Sequence, residues 1–166
     1  MGIDIDNMDV LDRRRIEALV LGPMIRAFEK EIGKSRAQAV AKGVIVKIAE
    51  EQGHALSQRL RGKDLGTFSK ARDPWTRGGA LEIDVLEDSK DKVAFNVTRC
   101  LYAEMYQELG MEDLGSILSC GRDGALSTGF NHRIKLTRNK TIMEGHGHCD
   151  FRYSVEEDQK PLSVRE

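Results

Sequence analysis

Cysteine is scarce in this chain. Cys100, Cys120 and Cys149 are its only three, widely spaced and without a CxxC pair among 166 residues. An odd, dispersed set does not build a disulfide framework, and free thiols in a reducing cytoplasm are the natural reading. Net charge is also missing: 26 basic and 27 acidic side chains leave a formal charge of -1. That balance supplies no long-range field for DNA, RNA or an anionic membrane, so neither a nucleic-acid nor a membrane partner is expected. No stretch approaches the roughly 20 apolar residues of a spanning helix. The segment Met1 to Met8 has no basic region followed by an apolar core, so no secretory leader is expected. Internal repeats and low-complexity tracts are absent, as are a phosphate loop and a dinucleotide fingerprint.

What is present is globular. The chain is 40% hydrophobic and 32% charged with three prolines, which is too apolar and too balanced for disorder. Its length fits one domain over 1–166, with 1–8 and 156–166 read as flexible ends.

Hydrophobic spacing predicts the elements. Ile16, Leu19, Val20, Met24, Ala27 and Phe28 recur at helical intervals over 9–32, and read as the inner stripe of a first helix with Arg13, Arg14 and Arg26 on its wet side. Pro23 is expected to kink or divide that helix. A second helix over 36–60 carries Val40, Val44, Ile45, Ile48, Leu56 and Leu60. Gly43 and Gly53 weaken it and invite close contact with another element. Residues 61–79 are irregular and contain Trp75, which reads either as an anchor to the core or as part of a lid.

The period then changes to two. Leu81, Ile83 and Val85 alternate with acids, Asp88 to Asp91 supply a turn, and Val93, Phe95 and Val97 alternate again, so a hairpin of half-buried strands is expected. A helix over 100–109, a short one over 112–118 and another within 120–130 follow. Strands are expected around Ile134 and Leu136, at Ile142–Met143, and at Phe151, Tyr153 and Val155. The fold class is therefore α+β, an antiparallel sheet packed against an N-terminal helical hairpin and shorter helices.

Reactive side chains concentrate in the second half. Gly145 to Arg152 reads GHGHCDFR, and Leu118 to Asp123 reads LSCGRD. On a final strand, His148, Asp150 and Arg152 share one face, while Cys149, Phe151 and Tyr153 take the other. A helix starting near Cys120 would favour its thiolate, with Asp123 in the first turn. Three chemistries fit. Cys149 or Cys120 could attack an electrophilic carbon with His146 or His148 as base and Asp123 or Asp150 orienting it. Cys120, His146, His148 and Cys149 could hold zinc or another divalent metal that activates water. An acid–base pair could activate water without a covalent step. Arg152, Asp150, Arg122 and His132 are the candidate substrate-binding residues. The structural alternative is that Asp150 pairs with Arg152 and Cys149 fills the core.

Several blocks carry a family resemblance: FNVTRCLYAEMYQELG over 95–110, LSCGRD from Leu118, GFN at 129–131 followed by RIKLTR, and TIMEGHGHCDFRY over 141–153. Over roughly 93–153 the sequence resembles the L-2-amino-thiazoline-4-carboxylic acid hydrolase family. The resemblance implies a hydrolase that opens a small heterocycle, cyclic amide or amidine at a non-peptide C–N or C–S bond. Water would add at the ring carbon between sulfur and nitrogen. Arg152 would hold a substrate carboxylate, and Cys149, Cys120, His148 and Asp123 would line the reaction centre. The expected partner is a small-molecule substrate, and the chain is compatible with a homo-oligomer. A non-catalytic small-molecule sensor is the alternative of a different class.

Overall fold

The computed structural model describes residues 8–156. The expectation of flexible ends falls outside that range, apart from Met8 and Glu156. Two long antiparallel helices, α1 (Val10–Ile32) and α2 (Lys34–Leu60), are joined at Gly33, whose φ of 87° suits glycine. Two short helices follow, α3 (Leu65–Ser69) and α4 (Arg72–Thr76). Asp64 caps α3 by accepting from the Thr67 amide at 2.9 Å. Strands β1 (Leu81–Asp88) and β2 (Lys92–Cys100) form the hairpin, and α5 (Leu101–Glu108) and α6 (Glu112–Gly115) come next. A π-helical turn at Ser116–Cys120 leads into α7 (Arg122–Phe130). Strands β3 (Ile134–Thr137) and β4 (Cys149–Val155) close the chain.

The four strands form one antiparallel sheet in the order β1-β2-β4-β3. Val93 pairs with Tyr153, Phe95 with Phe151 and Val97 with Cys149. These six residues therefore share one face, and all are buried. Phe95 and Phe151 stack at 4.8 Å between ring centroids, and Phe68 of α3 meets the Tyr153 ring edge-on at 5.2 Å. The expected division of β4 holds, with Cys149, Phe151 and Tyr153 on the core side. Ile142–Met143, expected as strand, is instead a single 3₁₀ turn over Ile142–Glu144, capped by the Thr141 hydroxyl.

Pro23 does not divide α1, which runs unbroken from Val10 to Ile32. The sides of α1 are also reversed from the sequence expectation. Its inner face is Arg14, Ala18, Gly22 and Ile25, while Ile16, Leu19, Val20, Met24 and Phe28 are about half exposed. The helix has two apolar faces. Small residues allow the narrower one to approach α5 and α6: at Gly22, a Cβ would lie 2.5 Å from the Met111 sulfur. On α2, likewise, Ile45 and Ala49 point inward while Val40 and Val44 point out.

The expectation for Gly53 is met. A Cβ there would sit 2.1 Å from the Leu126 carbonyl oxygen, and one on Gly129 would sit 2.0 Å from that of Glu50. The reciprocal glycines let α2 and α7 pack backbone to backbone. Gly53→Ala gains helix propensity of about 1 kcal/mol, but must push apart two backbones, which costs about 1–3 kcal/mol or more. A net loss of stability is expected, read as a lower urea midpoint. An unchanged or raised midpoint would contradict the close contact.

Candidate functional site

A cavity of about 510 Å³ opens between the core face of the sheet, α1, α2, α4 and the start of α7. The sheet supplies Phe95, Val97, Cys149 and Phe151 as its floor, and Trp75, Pro74 and Leu56 close an apolar side. Trp75 is half-buried, packs on the core and has its carbonyl held by the Tyr102 hydroxyl at 3.2 Å. Polar groups enter from the π turn and α7. They are Cys120, Arg122 and Asp123, met by Arg138 from the end of β3.

The 120s and the late 140s do converge. Cys120, Asp123, Arg122 and Cys149 all line this cavity, and Cys100 joins them. Asp123 accepts a charge-assisted bond from Arg138, whose second arm donates to the Cys120 carbonyl at 3.0 Å. The same guanidinium lies 4.8 Å over the Phe151 ring. Burial raises the Asp123 carboxyl, and Arg138 offsets part of that rise. Asp123 is thus a stronger base than an ordinary aspartate, in a position where it can exchange a proton with a bound molecule.

The three thiols differ. Burial pushes Cys120 well above the usual thiol range, and the Asp123 charge adds to the shift. The expectation that a helix terminus favours its thiolate therefore fails. Cys120 ends the π turn rather than starting α7, and desolvation dominates. Cys100 caps α5, its sulfur accepting from the Ala103 amide at 3.4 Å, and burial pushes it up to about 11. Cys149 is also raised by burial, but two features oppose the rise: the Ile142 amide donates to its sulfur at 3.2 Å, and Arg138 is nearby. It is the cavity thiol with both a donor and a cation in attendance.

Arg122 belongs to a second polar cluster as well. Arg14 and Arg122 are each 7% exposed and share one carboxylate, that of Glu17. Arg122 donates its Nε to the Leu118 carbonyl at 2.7 Å and one Nη to Glu17 at 2.9 Å, and its other Nη is buried without a hydrogen-bond partner. Burial, then repulsion from Arg14, lowers the Arg122 guanidinium to about 10. Two buried cations on one acid leave positive charge in excess, and no group among the described residues meets the remaining donor of Arg122.

Other sequence candidates lie elsewhere. Arg152 donates to the carbonyls of Phe95 and Phe151 and to the Asn96 side chain, so it braces the outer face of the sheet. Asp150 accepts from the amides of Asn139 and Lys140, fixing the loop before the 3₁₀ turn. His146 is exposed and contacts the Thr141 carbonyl at 3.2 Å, and His132 is exposed beyond α7. His148 precedes β4, half-buried, and neither it nor His146 lines the cavity. Alternation places Asp150 and Arg152 on the face opposite Cys149, and His146 and His148 lie before the strand, so none of the four lines the cavity that Cys149 enters. The quartet Cys120, His146, His148 and Cys149 is divided in the same way. Among the described residues, no three His, Cys, Asp or Glu side chains are grouped to hold a metal ion.

Arg138 and Arg14 line the cavity without having been marked by the sequence. Glu17, also unmarked, stands behind the lining and binds Arg14 and Arg122. Arg138 ends the RIKLTR block. Arg14 stood in the run Arg13-Arg14-Arg15, which reads as a solvated face.

An α+β frame around a half-apolar cavity with thiols, a carboxyl–guanidinium pair and buried guanidiniums is suited to a small, partly charged organic molecule. The chain belongs to the L-2-amino-thiazoline-4-carboxylic acid hydrolase family, whose model matches residues 13–153. Membership makes it a ring-opening hydrolase of small heterocyclic or cyclic substrates. No curated protein matches the chain. Several solved structures share the fold. The phenol-responsive sensory domain of the transcription activator PoxR, solved with phenol, aligns at a TM-score of 0.54 with 13% identity, over 81% of this chain and 72% of its own. Trafficking protein particle complex subunit 3 from Naegleria fowleri, covalently bound to palmitic acid, aligns at 0.53 with 10% identity, over 87% of this chain and 96% of its own. Among the described residues, no helix is long and apolar enough to cross a membrane.

Proposed function

We propose that the chain hydrolyses a small carboxylated heterocycle of the 2-amino-thiazoline-4-carboxylate type, with Cys149 as nucleophile and Asp123 as proton acceptor and donor. The observation that supports it is the convergence of Cys149 and the Asp123–Arg138 pair on one cavity that also carries the unpartnered Arg122 donor. The substrate carboxylate sits against Arg14 and Arg122. Its ring carbon, electron-poor between two heteroatoms, faces the sulfur.

Attack forms an S–C bond as the thiol proton passes to Asp123. The Ile142 amide and Arg138 favour the sulfur anion as it develops. The adduct collapses by breaking a ring C–N or C–S bond, and the departing heteroatom takes the proton back. Water, deprotonated by Asp123, then attacks the same carbon and releases Cys149. The net change is the addition of one water. The apolar wall of Trp75, Phe95 and Phe151 matches a flat ring and strengthens the charge interactions by keeping bulk solvent out.

The raised thiols favour one second reading, in which Asp123 activates water directly and Cys149 serves only in binding. Either way, the acid limb of kcat/KM should fall at a pH above the ordinary aspartate range near ~4, because Asp123 is raised and must be ionised to accept a proton. Activity is lost as pH drops through that raised value, and Asp123→Asn should remove the limb together with about 10²–10³-fold of the rate. The test is purified protein with 2-amino-thiazoline-4-carboxylate, following ring opening by mass and the rate from pH 4 to 9. Binding of the ring without turnover would place the chain with ligand sensors, as the PoxR domain is described.

A further inference from the structure

We propose that the outer face of the α1–α2 hairpin joins two copies of this chain about a two-fold axis, the paired hairpins forming a four-helix bundle. The face is unusual for a surface. From Ile16 to Phe28, every exposed position of α1 is apolar, including Pro23 and Ala27 as well as the large side chains. Across the hairpin, Val40 and Val44 are 59% and 54% exposed and extend the patch onto α2. Monomers rarely leave a contiguous apolar patch of more than a few hundred Å² in water.

The area fits a second copy. The nine large apolar side chains on α1 and α2 are 37% to 59% exposed. Together they leave roughly 800 Å² in contact with water, which is the share each partner of a standard-size interface contributes. The shape fits as well. An antiparallel helix pair presents two ridged rows running in opposite directions, so a copy rotated by half a turn meets it with the same two rows. Gly43, exposed in the middle of the α2 row, has nothing within 4 Å of a built Cβ, leaving a gap that a partner side chain can enter.

From Ile16 to Phe28 no exposed position of α1 is charged, while Lys42 and Lys47 border the row on α2. Lys30, Glu31 and Arg36 flank the turn end, and Asp12 and Glu51 flank the open end; all five are exposed. Exposed Arg15 and Arg59 stand with Asp12, Glu50 and Glu51 at the open end, so both ends carry both signs. A two-fold axis through the middle of the hairpin brings opposite charges of the two copies within reach. An anionic lipid surface would select a rim of bases alone, whereas Asp12, Glu31 and Glu51 are exposed among them here. The inner face of the same helix holds Arg14 and Glu17, so the contact also braces the second polar cluster.

Sedimentation equilibrium of the full chain at about 20 µM should give twice the 18.6 kDa protomer mass. Val20→Glu with Val44→Glu should weaken the dimer by at least about 100-fold, since each copy then buries two unpaired carboxylates, and should leave the far-ultraviolet circular dichroism unchanged. A variant-free measurement uses mixed ¹⁴N- and ¹⁵N-labelled copies and an amine cross-linker. Links between copies should join Lys30, Lys42 or Lys47. A monomeric wild type, a variant that stays dimeric, inter-copy links confined to Lys90, Lys92 or Lys135, or a monomer that binds neutral phosphatidylcholine vesicles through this face would each overturn the proposal.

Discussion

Cys149→Ala is expected to lower kcat for ring opening by about 10³-fold or more while the protein stays folded. The size follows from the proposed role: without a nucleophile, only binding and the Asp123–Arg138 pair remain to promote attack by water. The cost to the fold is confined to one hydrogen bond and one small void. The Ile142 amide loses its acceptor, worth about 1–3 kcal/mol when buried, and the vacated volume is that of a single sulfur. Cys149→Ser keeps an acceptor for the amide, so it separates that loss from loss of the nucleophile and should be as inactive as the alanine variant. Cys120→Ala and Cys100→Ala serve as comparisons. Both sulfurs line the cavity, but neither has a backbone donor and a cation together, and changes in rate below about 10-fold are expected. Steady-state kinetics with a urea midpoint for each variant completes the test. Full turnover in Cys149→Ala alongside an inactive Asp123→Asn would transfer the chemistry to water activated directly by the aspartate.

The periodicity of the strands was legible in the sequence because each strand buries one side. Val93, Phe95 and Val97 against Phe151 and Tyr153 could be assigned to a common face from alternation alone. The same reading placed Cys149 inward and Arg152 outward, yet the density of reactive groups in GHGHCDFR suggested that they work together. Strand geometry decides otherwise: neighbours along a strand are the pair least able to meet. What the sequence could not convey was the inversion of α1. A helix with apolar residues on two faces has no single stripe, and its larger residues draw the eye to the broader side. The buried side instead holds Ala18, Gly22 and Arg14, small or charged residues that gain their place from what packs against them. Hence the second polar cluster, whose partners Arg14 and Arg122 lie over a hundred residues apart, carried no local signal. The LSCGRD block did mark Arg122 and Asp123, though the helix they begin does not favour a thiolate at Cys120, since burial outweighs the terminal dipole there.

Arg122→Gln should lower kcat/KM about 10²-fold for a carboxylated ring and less than about 3-fold for the same ring bearing a neutral amide. A hydrogen bond to a charged group contributes about 1.5–3 kcal/mol, and in the proposed binding mode the unpartnered Nη of Arg122 makes one with the substrate carboxylate. The loss should fall on KM if the carboxylate is held equally in ground and transition states, and on kcat if the anchor serves to align the ring carbon with Cys149. Arg14→Gln should repeat the pattern more weakly. Glu17→Gln should reverse it, since the acid now competes with substrate for both guanidiniums: its removal raises affinity for the carboxylated ring and leaves the amide unaffected. A purely structural role for this cluster predicts equal losses on both rings, in proportion to any loss of stability. Arg152→Gln supplies that baseline, because its bonds run only to Phe95, Phe151 and Asn96 on the far side of the sheet. Selective loss of the carboxylated substrate in Arg152→Gln, with Arg122→Gln indifferent to the carboxylate, would put the anchor on the opposite face and remove the cavity from the mechanism.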